Sequence, residues 1–165
     1  MSSAQATSIW LDSDLQDPLD RVARLAEAAL HASVTALSLG PGEPLRCRLA
    51  TPGRVRPFAV AAKDSPFVES VWLHGAASVT AAHAHPVYAH DAVLAELGLV
   101  RCTGLALRSA GGTIFGALLL GGPEAGASSR SEHEVAVALA TSLQIELSFV
   151  SRLRRAEDER LLLQT

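Results

Sequence analysis

The sequence predicts an α+β domain built on a mainly antiparallel sheet. Three observations carry that reading. Helical and β-type segments run in the order helix, hairpin, small helices, hairpin, long helix, with no βαβ repeat. The β-type runs come in pairs joined by Gly-rich turns, as hairpins require. The chain has 165 residues, 48% of them apolar, which suits one domain with one well-filled core.

The first clear helix is expected to start at Asp17, with Asp17 as N-cap, Pro18 at the first helical position and Asp20 adding negative charge to the first turn. Leu19, Val22, Leu25, Ala26 and Ala29 recur at helical spacing and form its apolar stripe. Val34–Leu39 is a short β-type run closed by Gly40-Pro41-Gly42. Leu45, Cys47 and Leu49 then alternate with Arg46 and Arg48, the pattern of a half-buried strand, so the two runs read as a hairpin. A third short strand is expected at Phe58–Ala62.

Ser65-Pro66 opens a helix whose apolar side is Phe67, Val68, Val71 and Trp72, with Gly75 as its stop. Ser78–Ala82 reads as a short strand, and His83–His90 as an irregular, His-rich segment. Asp91 caps a second short helix that runs through Leu97 and ends at Gly98. Leu99–Leu107 is a strand in which Gly104 marks a bulge or a close approach. After the turn Ser109–Gly112, Thr113–Leu120 is apolar on both faces and therefore central or covered twice. Ser131 and Glu134 form a capping box for a long helix with no Gly or Pro before the C-terminus.

Composition excludes several function classes. The net charge is −3 with both signs interspersed, whereas a nucleic-acid binder shows a basic face. The N-terminus has no basic and apolar regions of a secretory signal, and no uninterrupted apolar run approaches the roughly 20 residues of a membrane span. A cytoplasmic protein is expected, with neither nucleic acid nor membrane as partner. Thirteen of the fourteen basic residues are Arg, Lys63 being the one Lys, a bias that fits a GC-rich bacterial source and says little about function. The two cysteines, Cys47 and Cys102, lie in no C-x-x-C motif and read as buried, inert thiols.

Four stretches resemble the GAF family. They are the entry helix Asp17–Leu30 with the strand after it, SPFVESVWLHGAASV (Ser65–Val79), HDAVLAELGLVRCTGLALR (His90–Arg108), and TIFGALLLGG followed by SSRSEHEVAVALATSLQIEL. Together they cover roughly residues 17–155. The resemblance implies about six strands, the first and last helices on one face, and small helices and loops enclosing a pocket on the other. It divides the chain into an N-terminal extension (1–16), a GAF-like domain (17–155) and the start of a signalling-helix linker (156–165). It implies a sensory or regulatory domain rather than an enzyme. Such a domain binds a small molecule and relays a signal through its last helix to a kinase, cyclase, phosphatase or transcription-factor domain. A purely structural dimerisation module and an enzyme of the methionine-sulfoxide-reductase type are the alternatives. The pocket is expected at Trp72, His83, His85, Tyr88, His90 and Leu94, where imidazoles and a phenol suit a neutral or anionic ligand.

No cofactor is expected. His83 and His85 point the same way in an extended segment, but no sequence-local set completes a zinc site. Cys102 sits where a bilin-binding relative carries its thioether Cys, yet Thr103 stands where such sites place His. The Asn-Lys-Phe-Asp-Glu motif of cyclic-nucleotide relatives is absent, and the glycine pairs 111–112 and 121–122 precede no Gly-Lys-Ser/Thr. The reductases of this fold use several clustered cysteines, and this chain has two.

The last helix carries Val135, Leu139, Leu143, Leu147 and Val150 on one side, with Val137, Ile145 and Phe149 elsewhere. A helix apolar on more than one face needs two partners, here the sheet and a second copy of the chain. Trp10, Phe149, Val150 and Leu153 are the expected seam of a parallel homodimer.

Overall fold

The computed structural model describes residues 12–40 and 42–164. Its elements are α1 (Asp12–Leu30), β1 (Val34–Ser38), β2 (Leu45–Thr51), β3 (Arg54–Val60), α2 (Pro66–His74), β4 (Ala76–Val79), a 3-10 turn (Ala82–Ala84), α3 (Ala92–Leu97), β5 (Arg101–Arg108), β6 (Ile114–Gly122) and α4 (Arg130–Leu163). The strands form one six-stranded sheet in the order β3-β2-β1-β6-β5-β4, and every neighbouring pair is antiparallel. The expected α+β class and antiparallel sheet are observed.

Alternation along the strands splits the core into two layers. Leu37, Leu105, Leu107, Leu118 and Leu120 face α1 and α4. Ala36, Cys47, Cys102, Ala117 and Leu119 face α2 and α3. β6 lies between β1 and β5 and is buried from Gly116 to Gly122, as its doubly apolar sequence requires. β3 is an edge strand. It carries Pro57, which has no N–H to offer a further strand, and two exposed arginines, Arg54 and Arg56.

The entry helix begins earlier than Asp17. It runs from Asp12, so Pro18 sits inside it rather than at its start. Pro18 forfeits one backbone bond, but the added turn buries Leu15 against the same layer as Leu19 and places Asp14 on Arg154 through two 2.8 Å hydrogen bonds. Leu25 does not join the inner stripe. It is exposed, while Leu15, Leu19, Val22, Ala26 and Leu30 pack inward. The pairs Asp14–Arg154 and Arg21–Glu146 fix α1 antiparallel to α4.

β2 also departs from simple alternation. Arg48 is 8% exposed, whereas Leu49 is 40% exposed. The reason is tertiary. α1 lies over the helix-facing side of β2, where its Asp20 pairs with the Arg48 guanidinium. On the opposite side α2 and α3 stop short of Leu49.

The capping box of α4 sits two residues before the expected one. Ser129 accepts from the Glu132 backbone N–H, and the Glu132 carboxylate accepts from the Ser129 N–H at 2.9 Å. α4 continues without a break through residues 155 and 156 to Leu163. By length and composition alone it could cross a bilayer, but its Leu139, Leu143 and Leu147 are packed in the helix-side core.

Candidate functional site

The side of the sheet under α2 and α3 is organised by local sequence signals that converge in space. Ser65 caps α2, and Gly75 ends it in the left-handed conformation, at φ 86°, where a side chain would be strained. Asp91 caps α3, which Gly98 closes. Both caps meet in one buried hub. The Asp91 carboxylate, 2% exposed, accepts from the Val93 and Leu94 N–H groups of its own helix at 3.0 Å each. It also accepts from the Ser65 hydroxyl at 2.8 Å and from the Phe67 N–H at 2.9 Å. Ser65 in turn accepts from the Val68 N–H. One carboxylate thus satisfies the first turns of two helices, which is how its burial is compensated.

Gly104 lets α2 approach the sheet. A Cβ at this position would collide with a Val71 methyl and touch the Phe67 ring. The helix therefore rests directly on β5, with Phe67 and Val71 completely buried.

Beside this hub lies an open groove of about 890 Å³. Its walls are the β1–β2 turn (Gly40, Gly42, Glu43), the loop after β3 (Ala62, Lys63, Asp64) and the outer side of α2 (Val68, Glu69, Trp72). Ser38 and Leu45 contribute from the strands, and Val93 from α3. Trp72 is half-buried, and its indole N–H donates to the Ser38 hydroxyl at 3.3 Å, which pins the ring across the end of β1.

Of the expected site residues, Trp72 lines this groove and the others do not. Leu94 is a core residue, 2% exposed. Tyr88 packs edge-on against Phe67, with ring centroids 5.2 Å apart, and donates to the Ser70 hydroxyl. His85 stacks on Tyr88 at 4.3 Å, and its Nδ1 accepts from the Val87 and Tyr88 N–H groups. This imidazole therefore shapes its own turn. His83 and His90 are exposed. Among the described residues no group of His, Cys, Asp or Glu could hold a metal ion.

The residues that sequence reasoning missed are Glu43, Lys63, Asp64 and Glu69. They lie in turns and on an exposed helix face, where no local pattern distinguishes a groove wall from ordinary surface.

Both cysteines are free and buried on the α2/α3 side. β2 and β5 are three strand spacings apart, at least about 14 Å, beyond the reach of a disulfide. Burial pushes the Cys47 thiol up to about 12, with the nearby Arg48 opposing the shift. Burial also pushes the Cys102 thiol well above its ordinary value, and the Asp91 charge adds to this.

The architecture is shared with solved structures. The blue-light-absorbing form of the PixJ GAF domain of Thermosynechococcus elongatus superimposes with a TM-score of 0.64 at 14% identity, over 93% of this chain and 96% of that one. The GAF domain of a two-component sensor histidine kinase from Bacillus halodurans gives 0.58 at 14% identity, over 88% and 98%. This chain has the GAF fold. A type II free methionine-R-sulfoxide reductase from Thermoplasma acidophilum shares that fold, with a TM-score of 0.56 at 11% identity over 81% and 89%. No family model and no curated protein matches the sequence.

The outer surface of α1 and α4 is the second notable feature of this GAF fold. Ile145, Phe149 and Leu153 are 64%, 59% and 50% exposed and recur every four residues along α4, with Leu25 exposed on α1. Val150, expected at the seam, is half-buried and packs in part on the core. Trp10 lies outside the described residues.

Proposed function

We propose that this GAF-fold chain is a cytoplasmic sensory or regulatory domain that binds a small molecule in the groove at Trp72. The observation that carries the reading is the groove itself. Its volume falls within the range of small-molecule sites, and a pinned aromatic side chain walls it. α2, which forms one wall, rests directly on the sheet through Gly104, so a ligand moving α2 loads β5. β5 hydrogen-bonds to α4 through the Arg108 N–H and the Gln144 side-chain oxygen at 2.7 Å. α4 then carries the response to a kinase, cyclase, phosphatase or transcription-factor domain. The Arg154–Asp14 ion pair ties it to α1, and the helix runs on from Arg154 to Leu163 over about 13 Å.

Homodimerisation is part of the proposal. An exposed stripe of Ile145, Phe149 and Leu153 beside Leu25 is the kind of surface that a two-fold pairing covers. The same stripe favours a second reading, a structural dimerisation module in which the groove stays empty. A reductase reading has less support, because both thiols are buried, held protonated and at least about 14 Å apart.

A thermal-shift screen of metabolites separates the first two readings, since a ligand of the native state raises the midpoint by mass action. Ligands that stabilise the native domain and fail to stabilise Trp72→Leu are the expected result. Ligands that stabilise both equally would remove the groove from the account.

A further inference from the structure

Resting on the groove as the ligand site, we propose that its ligand is an aliphatic ammonium cation, a small molecule with a hydrocarbon stem and protonated amines. The first reason is charge. Asp64 and Glu69 line the groove together with Glu43, which has a partner of its own, and Lys63 is the one cationic group among the described lining residues. None of the chain's thirteen arginines is among the described lining residues. Lys63 is held by Glu96 at 3.0 Å, across to α3, which ties its charge to a carboxylate outside the groove. Asp64 and Glu69 take part in no ion pair among the described residues.

The second reason is the state of the α2 N-terminus. A helix start beside a groove ordinarily attracts an anion through its free N–H groups. Here those groups are already used. The Phe67 N–H goes to Asp91, the Val68 N–H to the Ser65 hydroxyl and the Glu69 N–H to the Ser65 carbonyl. An anion entering the groove would meet acidic side chains and no open donor from that turn. The buried Asp91 carboxylate behind it adds to the repulsion.

The third reason is Trp72. Its N–H is turned to Ser38, so the ring meets the groove as a hydrocarbon and π surface rather than as a donor. An ammonium group near such a face gains cation–π attraction, and Leu45, Val68 and Val93 offer apolar surface for a methylene stem. Carboxylates at the rim then accept the N–H bonds of the amine.

The test uses the chain with Trp10→Phe, so that Trp72 is its only tryptophan, and reads indole emission on titration. Cadaverine and spermidine are the cationic probes, glutarate the anionic one and 1,6-hexanediol the neutral one. Saturable quenching by the amines at concentrations up to about 1 mM is expected, with none from glutarate or the diol. The exposed-residue variant Asp64→Asn/Glu69→Gln should weaken amine binding about tenfold while leaving the circular dichroism spectrum intact. Lys63→Gln should leave binding equal or tighter. Glutarate binding better than cadaverine, unchanged affinity in the double variant, or no saturation with either amine would each overturn the proposal. If a neutral or anionic compound stabilises the native domain but not Trp72→Leu, the groove stands as the ligand site and the cationic class alone is lost. If amines raise the thermal midpoint of Trp72→Leu as much as that of the native chain, the groove reading falls with it.

Discussion

The two faces of the sheet are built from the same strands and differ in almost every physical respect. The face under α1 and α4 is closed and aliphatic. Its cluster is Leu, Val and Ala under long helices, and the charge buried there among the described residues is Arg48, paired with Asp20 where the first helix crosses β2. The face under α2 and α3 is covered by helices of nine and six residues, contains both cysteines, and depends on a carboxylate buried at 2% exposure. Beside that carboxylate the cover opens into the groove. One side is thus packed shut, whereas the other opens into a groove whose walls are held by hydrogen bonds.

That contrast is breakable by mutation. The largest expected effect is on the closed face. Leu143→Ala removes a side chain that is 2% exposed and should cost about 3–4 kcal/mol in urea unfolding, with no change in the chemical selectivity of groove binding. A loss below about 1 kcal/mol would mean that this face is not the rigid one.

On the open face the corresponding change is Asp91→Ala. It strips the caps from α2 and α3 together and leaves several buried donors unmatched, for about 2–3 kcal/mol. Asp91→Asn should recover part of this, because one oxygen still accepts. Unlike Leu143→Ala, this change should also reduce ligand stabilisation, since Ser65 and α2 form a groove wall. Gly104→Ala is expected to cost about 1–3 kcal/mol by pushing Val71 and α2 off the sheet. The midpoint of denaturation and the amide spectrum of Pro66–His74 would report it together.

Exposed positions should separate assembly from stability. Phe149→Glu should convert a sedimenting dimer to monomer while changing monomer stability by less than about 0.5 kcal/mol. A native chain that sediments as a monomer at high concentration would leave Ile145, Phe149 and Leu153 without the role given to them here.

The smallest effect concerns pH. The backbone N–H and hydroxyl of Ser129 hold the Glu132 carboxyl below the usual carboxylate range. The depressed value means that the cap is fully formed above the ordinary Glu value, about 4.3, and is lost as pH falls through the lower folded value. A fall in the amide protection factors of the first turn of α4 upon acidification, absent in Glu132→Gln, is the corresponding observation.

Much of the fold is legible in the sequence because its signals are local. Ser65 and Gly75 bracket α2, and Asp91 and Gly98 bracket α3, since each cap acts within one turn. The doubly apolar run at residues 114–120 marks the central strand for the same reason. Where the sequence misleads, two local signals compete or a distant partner decides. Ser129 and Ser131 each have a Glu three residues on, and only the surrounding chain selects the first. Asp17-Pro18 looks like a helix start until Leu15 finds the core and Asp14 finds Arg154. Arg48 is buried because Asp20 meets it, 28 residues away in the chain. The groove is the hardest part to read. Four of its charged residues come from three separate segments, whereas the conspicuous histidines lie near one another in the chain and outside the groove.

On the proposal made above, the groove at Trp72, and not the histidine-rich segment, is where the ligand binds. Amide chemical-shift mapping during a cadaverine titration tests it most directly. Shifts concentrated at Ser38–Leu45, Ala62–Trp72 and Val93 are expected, with little change over His83–His90. Shifts concentrated at His83–His90 with a silent Trp72 would contradict it.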